Sequence, residues 1–198
     1  MKHVCLFISC LLAGVVAQAQ VPYVPAKNAV QLGADAIGID PANGLKLRYS
    51  VEYRRYFRRD RLSLGLSAGF ANSQRKTVLI PDLVSVGTNT RHRAMLDLTL
   101  AYNLLRGVHH GLRLGAGPSA WYGYDDLFVK VDPYPVPTGT QPLVERRVTS
   151  GWNAGAHATL EYTYALALNT QVSLQTGLVV MTPSAVIPLF GLRAGYRF

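Results

Sequence analysis

Residues 61–70 read RLSLGLSAGF, and their two parities divide by character. Leu62, Leu64, Leu66, Ala68 and Phe70 are apolar, while Ser63, Gly65, Ser67 and Gly69 between them are small or polar. Side chains of an extended strand point alternately to the two faces of a sheet, so a period of two marks a strand with unlike faces. A helix would repeat its apolar positions every three or four residues, and this stretch does not.

The alternation continues in both directions. LKLRYSVEY sets Leu45, Leu47, Tyr49, Val51 and Tyr53 against Lys46, Arg48, Ser50, Glu52 and Arg54. Before it, Val30 to Ile39 places Val30, Leu32, Ala34 and Ala36 on one face. Downstream, segments near 93–103, 112–123, 148–162, 172–180 and 190–198 repeat the pattern, which makes eight strands. Short turns separate the second, fourth and sixth strands from their successors, near Arg58–Asp60, Gly107–Gly111 and Ala165–Asn169. The other connections include two long ones, 71–90 and 125–147, and the second contains Pro133, Pro135, Pro137 and Pro142. Long connections on one side and short turns on the other, with an even strand number, predict an all-β, eight-stranded antiparallel transmembrane up-and-down β-barrel. In that arrangement 40–44, 71–90, 125–147 and 181–189 are external loops, and both termini lie inside the envelope.

A soluble lipocalin-like barrel alternates too, with its apolar face inward. Its outer face would then need long, well-hydrated residues. Here the polar face is rich in Gly65, Ser67, Gly69, Gly115, Gly117, Ser119, Gly151, Gly155, Gly177, Gly191 and Gly195, which suit a narrow interior. Phe70, Tyr122, Tyr124 and Trp152 fall near the long-loop ends, and Tyr53, Tyr102, Tyr162, Tyr164, Tyr196 and Phe198 near the opposite ends. Two aromatic bands are expected where a barrel wall meets two headgroup layers.

The N-terminus predicts export. Lys2, the apolar run Val4–Val16 and Ala17-Gln18-Ala19 have the layout of a secretory signal peptide over 1–19, leaving 20–198 as the barrel. Both cysteines, Cys5 and Cys10, fall in that segment, so the barrel would have no disulfide, thiol nucleophile or cysteine metal site. The whole chain carries +9, with 15 Arg and 5 Lys against 11 acidic residues; without Lys2 the figure is +8. Such a charge suits nucleic acid, anionic lipid or phosphorylated sugar, and the exported address argues against nucleic acid. Arg54, Arg55, Arg58, Arg59 and Arg61 surround the first short turn, at the height of phospholipid phosphates.

The signal ending VAQAQ, the repetitive β mature part and the terminal YRF resemble the outer membrane protein beta-barrel family, in its small Bacteroidetes type. The resemblance implies a bacterial outer-membrane location and contact with outer-membrane lipids. A final Phe198 with Tyr196, Ala194, Leu192 and Phe190 at alternate upstream positions resembles the signal read by the barrel-assembly machinery. Many members of that family have no defined function.

Asp35, Arg48, Glu52, Arg54, Arg93, Asp97, Arg113, His157, Glu161, Arg193 and Arg197 share the polar parity and are expected inside as a charge network. Confined Arg and carboxylate groups pair, because an unpaired buried charge costs several kcal/mol. Three functions follow. The first is a non-enzymatic barrel with a structural or surface-interaction role through its external loops, its partner unknown. The second is a narrow pore or transport accessory for small anionic solutes. The third is a lipid A-modifying enzyme. Deacylases of that kind carry His-x-Ser, whereas His157 is followed by Ala158 and Thr159. Ser67, Ser119 and Ser173 are available hydroxyls, and His157 and Glu161 are spaced about 13 Å apart along a strand. His109 and His110 fall in a turn, open to solvent, and a single His pair is weak support for a metal. No catalytic, cofactor or metal-binding residue is assigned, and no phosphate-cradling glycine loop with a lysine occurs.

Overall fold

A computed structural model describes residues 27–40, 44–58, 60–78, 85–107, 109–136, 139–182 and 185–198. The expected signal segment 1–19 lies outside these residues, as do Arg59 and Pro137. Eight strands form one closed antiparallel barrel in chain order. They are β1 (Asn28–Asp40), β2 (Gly44–Phe57), β3 (Leu62–Val78), β4 (Ser85–Arg106), β5 (His110–Val136), β6 (Gly139–Ala165), β7 (Thr170–Met181) and β8 (Ala185–Arg197). β8 closes onto β1, with Ala29 opposite Arg197 and Ile37 opposite Leu189. At that seam the backbones of Asn28 and Phe198 exchange two hydrogen bonds, 2.8 and 2.9 Å long.

The apolar parity faces out. Leu32, Leu47, Leu66, Leu100, Leu114, Leu178 and Leu192 are all exposed on the wall. The polar parity faces the lumen, where Gln31, Asp35, Arg48, Glu52, Arg113, Glu161 and Gln171 are buried. Both aromatic bands appear on the outside. Near the long connections, Tyr122 lies 5.4 Å from Trp152 between ring centroids, and His92 lies between Phe70 and Tyr124 at 6.0 Å from each. Near the short turns, the Tyr53 hydroxyl donates to Asn28 at 2.8 Å, and the Asn169 amide donates to the Tyr196 hydroxyl at 3.1 Å.

Within the segments expected as the two long external loops, 71–78, 85–90, 125–136 and 139–147 are strand. β3 and β4 stay paired as far as Val78 opposite Ser85, and β5 and β6 as far as Val136 opposite Gly139. The alternation runs on through Ala71 and Ser73, buried, and Asn72 and Gln74, exposed. The prolines misled the loop expectation. Pro133 is paired with Pro142 in a ribbon with no further strand on either side among the described residues, so the missing N–H groups fall on its edges. β3 leaves β2 after Ala71, and β6 meets β7 only from Gly155. Beyond those levels β3–β6 stand as a four-stranded sheet without a neighbour among the described residues, apart from Thr182, whose N–H and hydroxyl reach the Ala154 carbonyl at 3.0 and 2.9 Å.

Pro118, still paired with Ala156 on β6, interrupts the ladder between β4 and β5. The β4–β5 ladder skips Leu98 and Thr99, resuming at Leu100 opposite Ala116. The two backbones approach so closely there that a Cβ on Gly117 would overlap the Leu98 carbonyl.

Candidate functional site

The lumen is filled in two layers. Toward the long connections, Ile37, Ala71, Met95, Trp121, Val179, Met181, Ile187 and Leu189 form a buried apolar cluster. Their parity is that of the polar face, and the sequence reading did not place them inside. The readable signal was there: 177–181 and 185–190 are apolar at both parities, the mark of a strand buried on both faces.

Below the cluster, eight charged side chains alternate in sign across the barrel. Asp97 accepts from Arg48 at 2.8 Å, and Arg48 lies 3.6 Å from Asp35. Asp35 also faces Arg193 at 3.7 Å, and Arg193 pairs with Glu52. Glu52 and Glu161 then flank Arg54 at 2.6 and 2.7 Å, and Glu161 lies 3.6 Å from Arg113. Four carboxylates and four guanidinium groups balance. Neutral groups complete the shell: Trp121 donates its indole N–H to Asp97 at 3.3 Å, Ser50 donates to Asp35 at 3.2 Å, and Arg113 donates to Thr163 at 3.1 Å.

The interior glycines are the room these side chains occupy. A Cβ on Gly33 would lie 2.9 Å from Arg193 Cγ, one on Gly69 2.6 Å from Arg48 Nε, and one on Gly65 2.5 Å from Glu52 Oε1. A Cβ on Gly191 would overlap the Asp35 carboxylate. Arg193, Arg48, Glu52 and Asp35 therefore each lie over a residue without a side chain on a neighbouring strand.

Three of the expected network residues lie apart from the chain of eight. Arg93 is near the long-connection rim, half-buried, in a two-pronged pair with Asp125 at 2.6 and 3.0 Å. Arg197 is at the opposite mouth, 2.7 Å from Asp60 and 4.8 Å from the Tyr56 ring centroid. Asp60, the acid of the first short turn, is buried, at φ 65°, and the Asn103 amide donates to its carbonyl, so the turn folds inward over the mouth. Asn and Asp tolerate this left-handed conformation better than most residues.

His157 makes no ion pair within this set. Its Nδ1 lies 2.8 Å from Ser119 Oγ and its Nε2 2.8 Å from Thr99 Oγ1. The serine–histidine contact has no acid on the far nitrogen and sits inside the wall. His109 and His110 are half-buried, their rings tilted against Tyr164 and Tyr162 in the short-turn band, with His110 Nδ1 2.5 Å from the Tyr162 hydroxyl. Small voids lie among the described lumen residues. One of about 20 Å³ lies among Arg48, Glu52, Asp97, His157 and Arg193. One of about 50 Å³ lies at the short-turn mouth, beside Tyr56, Asp60, Arg113 and Arg197. The first is the size of one water molecule.

No family model and no curated protein matches the chain. Solved structures do match. A major outer membrane protein from Thermus thermophilus is 16% identical, with a TM-score of 0.58 over 88% of this chain and 100% of its own. Neisserial surface protein A is 13% identical, with a TM-score of 0.56 over 87% and 98%. Ail, the attachment invasion locus protein of Yersinia pestis, is 12% identical, with a TM-score of 0.52 over 88% and 100%. At these identities the likeness is one of fold: this chain has the fold of small outer-membrane barrels.

Proposed function

We propose that the protein is a non-enzymatic barrel that spans the bacterial outer membrane and acts through the β3–β6 sheet standing beyond its wall. The observation that carries this is the inequality of the strands. β7 has 12 residues, β5 and β6 have 27 each. A tilted strand crosses a bilayer with ~9–11 residues, so β7 is long enough and β5 and β6 are more than twice as long as needed. The apolar wall between two aromatic bands supports the membrane placement. The edges of the projecting sheet, 72–78 on β3 and 139–153 on β6, carry backbone groups to which an extended segment of a surface partner can add.

Two measurements test the reading. A cysteine placed by Thr149→Cys is labelled by an impermeant maleimide in intact cells, whereas one from Ala167→Cys is labelled only after the outer membrane is opened. Equal labelling of both overturns the placement. A photo-crosslinking residue at Thr149 gives a defined adduct in growing cells, lost when Ser150→Pro removes an N–H that points to the open edge, as the even residues of β6 do from Ala154 onward. No adduct, or one indifferent to Ser150→Pro, overturns the role of the edge.

The interior arginines favour a path for anions, the second reading, but each already faces a carboxylate. The Ser119–His157 contact favours chemistry, the third reading, yet it lies in the lumen whereas lipid reaches only the outer wall.

A further inference from the structure

At the long-connection end Lys130 and Arg146 pair with Glu145 and Asp126, and the half-buried Arg93 with Asp125, while the exposed Arg147 has no ion pair among the described residues. At the short-turn end Lys27, Arg55, Arg58 and Arg61 are exposed, and none has an ion pair among the described residues. The one acid of the first short turn is Asp60, and it is turned away from them. It is 5% exposed and lies 2.7 Å from Arg197 inside the mouth. The turn reaches this shape through positive φ at two non-glycine residues, 50° at Arg58 and 65° at Asp60. The local fold thus withdraws the carboxylate and leaves the arginines outside.

A second observation fixes the height of the patch. Arg55 shares the outward parity of β2 with Tyr53 and Phe57, and its guanidinium carbon lies 5.7 Å from the Phe57 ring centroid. Tyr102, opposite Leu62 at the base of β3, continues the same aromatic band. A guanidinium on the wall at the height of that band meets the layer that holds lipid phosphates.

We infer that Lys27, Arg55, Arg58 and Arg61 form a docking surface for anionic phospholipid headgroups of the periplasmic leaflet. This rests on the membrane placement proposed above. Guanidinium groups bind phosphate oxygens through paired N–H donors, and a basic residue near an anionic surface favours the lipid by about five-fold at low salt. A soluble anion or a periplasmic polymer would reach Arg58 and Arg61 but has no reason to select Arg55, which sits on the lipid-facing wall.

The test places the full barrel in nanodiscs of equal phosphatidylglycerol and phosphatidylethanolamine, then releases it into detergent for native mass spectrometry. Phosphatidylglycerol is expected to be retained over phosphatidylethanolamine by at least about five-fold. The R55Q/R58Q/R61Q variant is expected to lose that preference while keeping heat-modifiable migration, and 1 M salt is expected to erase it in the unchanged protein. If the triple variant does not fold, R55Q and R61Q are measured singly, each expected to lower the preference. Equal retention of the two lipids by the unchanged protein overturns the docking surface, as does a preference that survives the substitutions. A native barrel that stays soluble and monomeric without detergent or lipid overturns the membrane placement instead, so the two failures are told apart.

Discussion

At the scale of single residues, the lumen trades space for charge. Gly191 and Gly151 lie on two different strands and carry opposite expectations. A Cβ at Gly191 would overlap the Asp35 carboxylate and lie 2.8 Å from the Ala34 carbonyl, both fixed by the β1–β8 seam. Gly191→Ala is therefore expected to cost about 1–3 kcal/mol as an overpacking change. Gly151 has nothing within 4 Å of its would-be Cβ and is exposed. Gly151→Ala is expected to be neutral or to stabilise by about 0.4–1 kcal/mol through the unfolded chain. Guanidinium unfolding in micelles compares the two. The charges obey the same contrast. Arg48 is 1% exposed and bridges Asp35 and Asp97, so Arg48→Met leaves both carboxylates without it and is expected to cost about 3–5 kcal/mol. Lys130 and Glu145 are more than half exposed at 3.6 Å. Lys130→Ala is expected to cost no more than about 1 kcal/mol, and equal losses for the two variants would show that the interior pairs carry no special weight.

At the scale of elements, the projecting ribbon and the barrel are separable. Among the described residues, β5 and β6 past Phe128 pair only with each other, and the ion pairs described in the interior include no residue between 129 and 145. Replacing 129–145 by Asn-Gly, the turn that suits a two-residue hairpin, is expected to leave the barrel folded, with its unfolding midpoint moved by less than about 0.5 kcal/mol. A collapse of heat-modifiable migration would show that the ribbon is part of the folding unit. The same elements show what the sequence let one read. Strand identity and facing were legible in 61–70 and its repeats, because an apolar outer wall and a narrow lumen impose opposite demands on adjacent residues. The strand ends were not, because beyond the wall both faces meet water and the contrast between parities fades; Pro133, Pro135 and Pro142 then look like breakers although they lie on a ribbon. The interior charges were legible as a parity, but their pairing was not. It depends on which strands meet across the lumen: Arg54 reaches from β2 to Glu161 on β6, a contact no local spacing encodes. Trp121 and Met95 had the inward parity in plain view, and the expectation of a wholly polar lumen hid them.

At the scale of the whole molecule, the question is whether anything passes through. An eight-stranded barrel has an interior that side chains can fill, and here two unlike layers fill it in series. The apolar cluster of Trp121, Met95, Met181 and their neighbours closes the outer half. The balanced chain from Asp97 to Arg113 closes the inner half, and Asp60 with Arg197 covers its mouth. Passage needs both layers breached. Opening a dry cluster does not free the ions below it, and releasing the ions leaves buried charges that pull on one another rather than a hydrated path. The unchanged protein is therefore expected to give no stable conductance in planar bilayers. Trp121→Ala with Met181→Ala is expected to stay closed as well, since the ion layer is untouched. Neutralising Arg48, Asp35 and Asp97 together in that background removes a link from the alternating chain directly beneath the cleared space, and it is this combination that is expected to conduct. Channels in the unchanged protein, lost on Arg48→Met, would reverse the conclusion: the alternating charges would then be a path with a gate, and the narrow anion pore would displace the closed barrel as the reading of this lumen.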